Sequence, residues 1–344
     1  MGSVSISCLG KKGRFGNQIF QYFFAFVVSK KYGLVLKTPN WQGNQIFNLQ
    51  PSAEDYNLNK IYEKEILALD FIENNKSFFE NKDIDGYFTW HTKFYREYKA
   101  EFIHLFKLKD ELAKKVDESW KEYTQNFNYT IIGVHIRLGD AGVDYYYRTP
   151  IEWYKNKIEE LINIKGVEKI KLFIASDDLT IKNKFEEYNT LNIDYSILGN
   201  TPDYIVDFIL LSKCEILIMG NSSFSFTASM LNQNVKKVFR SSILNGNFEE
   251  IDPWDSEPLD IQIEYKNNLT KELRSLLFKI NSKSLTRANY IRYVYINDFK
   301  IRFYLFLYNS IRLNIKIAFL DCIFILSKVK YRIKKITTRI NKIY

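Results

Sequence analysis

Cysteine and histidine are scarce in this 344-residue chain. The three cysteines, Cys8, Cys214 and Cys322, are odd in number and far apart, which argues against a disulfide framework and fits a reducing compartment. The three histidines, His91, His104 and His135, form no grouping with cysteine at zinc-ligand spacing, so no structural zinc site is expected. No G-x-x-x-x-G-K-[ST] loop occurs, which excludes a Walker-type nucleotide hydrolase. No run of about 18 apolar residues escapes charge, because Arg312, Lys316 and Asp321 interrupt the best one. The first residues lack the basic, apolar and small-residue order of a secretory leader, so none is expected.

Aromatic residues, by contrast, are plentiful, with 27 Phe and 24 Tyr. A hydrophobic content of 46% with 26% charge describes a folded globular chain, and its length suggests two domains. The net charge of +9 would suit a nucleic-acid binder if it were spread over the body. It is not. Residues 300–344 carry eleven Lys or Arg against the single acid Asp321, a net of +10, while the preceding 299 residues balance 38 bases against 39 acids. A nearly neutral body with a basic tail disfavours a nucleic-acid groove.

The pattern along the chain alternates between the two periods of regular structure. "VSISCLG" reads as a strand, "IFQYFFAFVVSKKYG" as an apolar helix stopped by Gly33, and "LVLK" as the next strand. Residues 40–125 are less regular and predict several helices, one over about 97–122. A clearer run follows. "TIIGVHI" has five β-branched residues in seven and predicts a strand. The next helix, "TPIEWYKNKIEELINI", opens on a capping box in which Thr149 caps, Pro150 takes the first position and Glu152 reaches back. "KIKLFIAS" predicts a strand, "DLTIKNKFEEYN" a helix, "DYSIL" a short strand and "TPDYIVDFILLSKC" a helix with the same Thr-Pro start. "EILIMG" then predicts a strand, "SFSFTASMLN" a helix and "VKKVFRS" the last strand. Such alternation predicts an α/β fold with a parallel, doubly wound sheet, whose ligands bind beyond the carboxyl ends of the strands.

Three of those ends are polar: His135-Ile136-Arg137-Leu138-Gly139-Asp140, Ser176-Asp177-Asp178, and Asn221-Ser222-Ser223-Phe224-Ser225. In one sheet they converge on one crevice. The guanidinium of Arg137 suits a phosphate. The helix after Asn221 starts with hydroxyls and unpaired N–H groups, a seat for an anion. Asp177 or Asp178 can accept from a ribose or a base edge. Together these describe a nucleoside-diphosphate site. Each element also has a structural reading: a surface ion pair for Arg137, helix capping for Asp177-Asp178 and for Asn221-Ser222-Ser223, a tight turn for Gly13 and Gly16, and a satisfied strand histidine for His135.

These motifs resemble glycosyltransferase family 11, the GDP-fucose-dependent α-1,2-fucosyltransferases of bacterial type. "GRFGNQIFQYFFAF", "GYF" at Gly86–Phe88, "HIRLGD", "SDD" and "DFILLSKCEILIMGNSSFSF" stand in family order over about residues 4–232. The protein O-fucosyltransferases share parts of the pattern. The chain departs where the family commonly has a second Arg, at Leu138, and a Trp pair, at Phe226-Thr227.

The resemblance implies a GT-B architecture of two Rossmann-like domains facing a cleft, with an acceptor-side domain over 1–129, a GDP-sugar domain over 130–265 and a helical linker and tail over 266–344. It implies transfer of L-fucose from GDP-β-L-fucose, with inversion and without a metal, to a galactose-containing glycan or lipid-linked oligosaccharide in cell-surface polysaccharide (O-antigen) synthesis. GDP-fucose would be a substrate, and no cofactor is expected. In this scheme Arg137 neutralises the β-phosphate with Ser223, Ser225 and the helix start formed by Asn221 and Ser222. Asp140 fixes Arg137, and His135 holds the nucleotide or Arg137. Asp177 and Asp178 hold the guanosine, Gly16 and Asn17 face the sugar, and Asp144 is the candidate base, with a solvated loop acid as its structural reading. The pair Asp83 and Asp85 matches a metal-binding D-x-D by spacing and reads as a coincidence of composition. Transfer of another GDP-linked deoxyhexose such as colitose, or a non-catalytic sugar- or nucleotide-binding module, fits the same residues.

The tail has its own pattern. Leu326, Val329, Ile333, Ile336, Ile340 and Ile343 step by three or four, with Lys328, Lys330, Arg332, Lys334, Lys335, Arg339 and Lys342 between them. This predicts an amphipathic helix, either lying on an anionic leaflet or packed on the enzyme or on another subunit. The first alternative places the protein in the cytoplasm, peripherally on the inner face of the cytoplasmic membrane.

Overall fold

The computed structural model describes residues 2–259, except 53–57, 68–74, 125–128, 140–147, 167–168, 200 and 243–244. Asp140, Asp144 and the expected tail helix lie outside the described residues.

The first sheet comprises β1 (Ser3–Ser5), β2 (Val35–Lys37), β3 (Asn59–Tyr62) and β4 (Lys82–Asp85), in the order β2-β1-β4-β3, all parallel. Helix α1 (Phe15–Tyr32) connects β1 to β2. It is apolar nearly all round, as a helix buried between layers must be, and Phe20, Phe23 and Phe24 are fully enclosed. Burying each such ring contributes about 1.5–3 kcal/mol. The helix stops at Gly33, whose φ of 62° is left-handed and whose N–H donates to the Ser29 carbonyl, as expected. Short helices α2 (Gly43–Ile46), α3 (Glu63–Leu67) and α4 (Lys76–Phe79) fill the connections. Strands β3 and β4 lie within the stretch that reads as irregular. "NKIY" and "KDID" are short and charged, and only the sheet explains them: buried Asp83 accepts from the Ser5 and Ser7 hydroxyls at 2.8 and 2.6 Å and from the Ser7 N–H at 2.8 Å.

The single helix expected over 97–122 is two, α5 (Lys99–Leu105) and α6 (Asp110–Thr124). The break occurs where Leu108 bridges to Phe47 and the Lys109 N–H donates to Ile46, so tertiary pairing takes the backbone groups a continuous helix would need. Phe102 of α5 packs edge-on against Phe23 of α1 at 4.7 Å.

The second sheet comprises β5 (Thr130–Ile136), β6 (Ile170–Ser176), β7 (Ile216–Met219), β8 (Lys237–Ser242) and β9 (Asn247–Glu250), in the order β6-β5-β7-β8-β9. The first four are parallel and β9 is antiparallel to β8. Helices α7 (Ile151–Lys165), α8 (Asp203–Leu211) and α9 (Ser223–Leu231) cover it. Ile132, Val134 and Ile136 of β5 pack with Tyr154 and Ile158 of α7 in its core. The chain leaves β5 toward β6 and returns on the other side at β7, so the switch point of the sheet opens between β5 and β7.

Three local expectations fail here. "DYSIL" is a 3-10 helix over Tyr195–Leu198, not a strand, because Asp194 accepts from the Ser196 N–H and closes a turn. The capping box at Thr149 does not form: α7 starts at Ile151 with Pro150 at its cap, and the Thr149 hydroxyl donates instead to Ser241 of β8 at 2.9 Å. The last strand is β9 rather than β8. Cys8 and Cys214 are buried, unbridged thiols. Among the described residues no helix is long and apolar enough to cross a membrane.

Candidate active site

The carboxyl ends of β6, β5 and β7 are neighbours in the sheet, so the three polar clusters do converge. Arg137 follows β5 directly. It is half-buried, and its Nη1 donates to the Asn221 carbonyl at 3.5 Å, reaching across to the turn after β7. Ser222 caps α9 by accepting from the Phe224 N–H. The Ser223 hydroxyl donates to Asn17 Oδ1 at 2.7 Å. Ser225 is fully buried, with no hydrogen-bond partner for its hydroxyl among the described residues.

The Ser223–Asn17 bond joins residues 206 positions apart and brings the first turn of α1 onto the first turn of α9. Gly16 makes this possible. A Cβ there would lie 2.6 Å from the Ser223 carbonyl carbon and oxygen and from the Phe224 nitrogen, all backbone atoms. Phe15 packs edge-on against Phe208 at 5.0 Å, and Phe208 against Phe224 at 5.4 Å, so the junction is dry on its inner side. Neither helix has an acidic residue in its first turn, and α1 has no side-chain cap. Each N-terminus carries the equivalent of about half a positive charge. Two like ends in contact, with Arg137 beside them, form an electropositive junction that an anion would relieve.

Asp177 and Asp178 serve different ends. Asp177 accepts from the Leu138 and Gly139 N–H groups at 2.7 and 3.0 Å and so holds the loop that carries Arg137. Asp178 caps the 3-10 helix Leu179–Phe185 through the Thr180 N–H and hydroxyl at 2.9 and 2.7 Å, which keeps its carboxyl below the usual range. His135 is buried on β5 against the Phe224 ring, at 5.3 Å. Burial pushes its imidazole down to about 3; Asp177 pulls it back, and Arg137 and Arg14 press it further down. It is therefore neutral near pH 7. Its Nδ1 has no partner among the described residues.

Arg14 carries no signal of its own in the sequence beyond its place in the Gly-Arg-x-Gly-Asn turn. It sits at the cap of α1, and its charge reaches His135. Asp207 of α8 opens the segment "DFILLSKC", which gives it no role of its own. Burial raises its carboxyl to about 7, opposed by the Tyr195 hydroxyl, which donates to it at 2.8 Å, and by Lys182.

His135 and Asp207 make opposite contributions to stability. Between about pH 3 and 6.5 the unfolded His135 binds a proton that the folded one refuses, so stability falls as pH falls. Between about pH 3.8 and 7 the folded Asp207 holds a proton that the unfolded one has lost, so stability falls as pH rises. Each slope is on the order of 1.4 kcal/mol per pH unit, and near pH 5 they cancel. His135→Asn is expected to become more stable relative to wild type as pH drops from 6.5 to 4.5, and Asp207→Asn less stable. Urea unfolding at both pH values checks this; parallel behaviour of the two variants would refute it.

The D-x-D pair stands apart from this crevice, on β4 of the other sheet. Asp83 is occupied by Ser5 and Ser7, and Asp85 pairs with Lys12 at 2.5 Å and Lys60 at 3.5 Å.

The solved structures this chain is similar to are distant in sequence. The fucosyltransferase NodZ from Bradyrhizobium is 13% identical over 74% of this chain and 100% of that one, with a TM-score of 0.49. A mutant of Arabidopsis thaliana FUT1 in complex with GDP is 14% identical over 77% of this chain and 76% of that one, with a TM-score of 0.49. POFUT1 in complex with GDP-fucose is 12% identical over 70% and 97%, with a TM-score of 0.43. No curated protein matches the sequence. The sequence pattern of glycosyl transferase family 11 matches residues 7–250. That span takes in the Gly16-Asn17 turn, the strand ends around Arg137 and Asp177, and the Asn221–Ser225 helix start, and the chain belongs to glycosyl transferase family 11.

Proposed function

We propose that the protein transfers L-fucose from GDP-β-L-fucose to a glycan hydroxyl, O-2 of a β-galactoside, with inversion at the anomeric carbon. The observation that carries this reading is the junction of α1 and α9: two helix N-termini held together by Asn17 and Ser223, with Arg137 alongside. As the sugar–phosphate bond breaks, negative charge grows on the departing GDP. Arg137 and the helix N–H groups would meet that charge without reorganising, and one such donor is worth about 2.7–4 kcal/mol in the transition state. In this reading Asp177 keeps Arg137 aimed, neutral His135 lines the nucleotide site, and Asn17 faces the sugar. The acceptor proton would pass to a carboxylate, with Asp144 as candidate, and Asp140 would brace Arg137. The first 129 residues would form the acceptor lobe and residues 130–265 the donor lobe of a GT-B cleft. Because Arg137 supplies the positive charge, no metal is invoked.

The test is GDP release from GDP-fucose with and without lactose, N-acetyllactosamine and methyl β-galactoside, in buffer and in EDTA. Acceptor-dependent release that survives EDTA, with an α-linked product by NMR, supports the reading. Loss in EDTA with rescue by Mn²⁺ would return Asp83 and Asp85 to consideration. Turnover of GDP-colitose alone would reassign the donor, and tight GDP-fucose binding without turnover on any acceptor would leave a binding module.

The basic tail would bring the enzyme to an anionic membrane carrying a lipid-linked acceptor. Each Lys or Arg near such a surface adds about 1 kcal/mol. A chain ending at residue 300 is expected to lose sedimentation with anionic vesicles and to keep turnover on a soluble acceptor. Continued sedimentation, or lost turnover, would instead make the tail part of the folded enzyme.

A further inference from the structure

Tyr87 follows β4 and is 41% exposed, while the next residue, Phe88, is fully buried and stacked on Phe24 at 4.0 Å. A lone surface tyrosine needs no explanation. This one is held out by its backbone. Phe88 has a φ of 52°, in a region that bulky residues rarely adopt, and Glu63 locks the bend by accepting from the Tyr87 and Phe88 N–H groups at 2.7 and 3.1 Å. Strain of this kind persists where surrounding contacts fix it, and it gathers at functional sites. The ring's neighbours are specific. The point where a side chain on Gly13 would begin lies 2.9 Å from Tyr87 Cε1 and 2.8 Å from Asn17 Nδ2, so ring and amide adjoin. Asn17 Oδ1 accepts from the Ser223 hydroxyl, and the same side chain adjoins Tyr87. The Lys12 ammonium sits 5.1 Å from the ring centroid and pairs with Asp85, which also meets Lys60.

A partly exposed aromatic ring beside charged donors and an acceptor is the chemistry that recognises a pyranose, whose C–H face packs on the ring while its hydroxyls bond at the rim. We infer that Tyr87 is the platform for a sugar ring of the acceptor, with Asp85 and its lysines bonding that ring's hydroxyls. The inference rests on the transferase reading above. It places the acceptor beside Asn17, whose Oδ1 accepts from Ser223 at the start of α9. A nucleobase could also stack on tyrosine, but Tyr87 follows β4 of the first sheet, whereas the nucleotide site of this reading lies at the strand ends of the second.

Tyr87→Ala and Tyr87→Phe test this in the full-length chain, on whichever of the three galactosides the wild type turns over fastest. Tyr87→Ala is expected to raise the acceptor KM at least about tenfold, with kcat little changed, and Tyr87→Phe to stay within about threefold of wild type. GDP affinity and acceptor-free hydrolysis of GDP-fucose should be unchanged in both. A wild-type acceptor KM in Tyr87→Ala overturns the inference alone. So does a loss of GDP affinity, which would make the ring a donor contact or a structural prop. If the wild type itself releases no GDP with any acceptor, the transferase reading fails and this inference falls with it.

Discussion

Replacing Gly16 by alanine is expected to lower turnover by at least about 100-fold, the scale on which misplacing a reacting group by about 1 Å acts. The added methyl would stand 2.6 Å from three backbone atoms of Ser223 and Phe224, and neither helix has a flexible side chain there to yield. The first turns of α1 and α9 must separate. The Ser223–Asn17 bond would lengthen and the paired N-termini would lose their common focus. Overpacking of this kind costs about 1–3 kcal/mol of stability as well. For a domain of this size that is a fall in Tm of roughly 2–12 °C. Steady-state kinetics and thermal unfolding together decide the matter. Wild-type turnover in a folded Gly16→Ala protein would show that the junction is packing and not part of the reaction.

Arg137→Lys is expected to leave the fold intact and to reduce turnover at least about tenfold, equal to ~1.4 kcal/mol of transition-state stabilisation. Lysine keeps the charge but loses the fork that lets one side chain donate to the Asn221 carbonyl and still present N–H groups to a phosphate. Arg137→Ala, which removes the charge as well, should fall by a further factor toward the 10²–10³ typical of one deleted donor to a developing anion. Circular dichroism and unfolding guard against a folding defect. A lysine variant with wild-type kcat and donor KM would take Arg137 out of the leaving-group role.

Much of the donor side could be read from local pattern. β5, β6 and β7 are short apolar runs closed by polar residues, and parallel strands buried on both faces must look like that. Their alternation with helices sets the sheet type, and the sheet type aims Arg137, Asp177 and Asn221 at one crevice. The same reasoning was weaker over residues 40–125. There β3 and β4 are four residues each and carry four charged side chains between them, one of which, Asp83, is buried. Asp177 shows a different limit. A carboxylate at a strand end could equally hold a ribose, cap a helix or brace a loop, and only the folded chain shows that Asp177 accepts from the Leu138 and Gly139 N–H groups.

The sequence by itself determined the α/β class, the second sheet's strand ends, the family and the neutral body with its basic tail, because each is written in contiguous residues or in composition. The tertiary structure decided what meets across the molecule: Gly16 against Ser223 and Phe224, Asn17 between Ser223 and Tyr87, Arg14 near His135, and Asp83 closed off by two serines. Those contacts span from about 70 to 208 positions, and no hydrophobic period or capping pattern records a partner so far away. The physical reason is that local pattern reports only which face of an element turns inward, whereas the partner of that face is chosen by close packing of the whole chain.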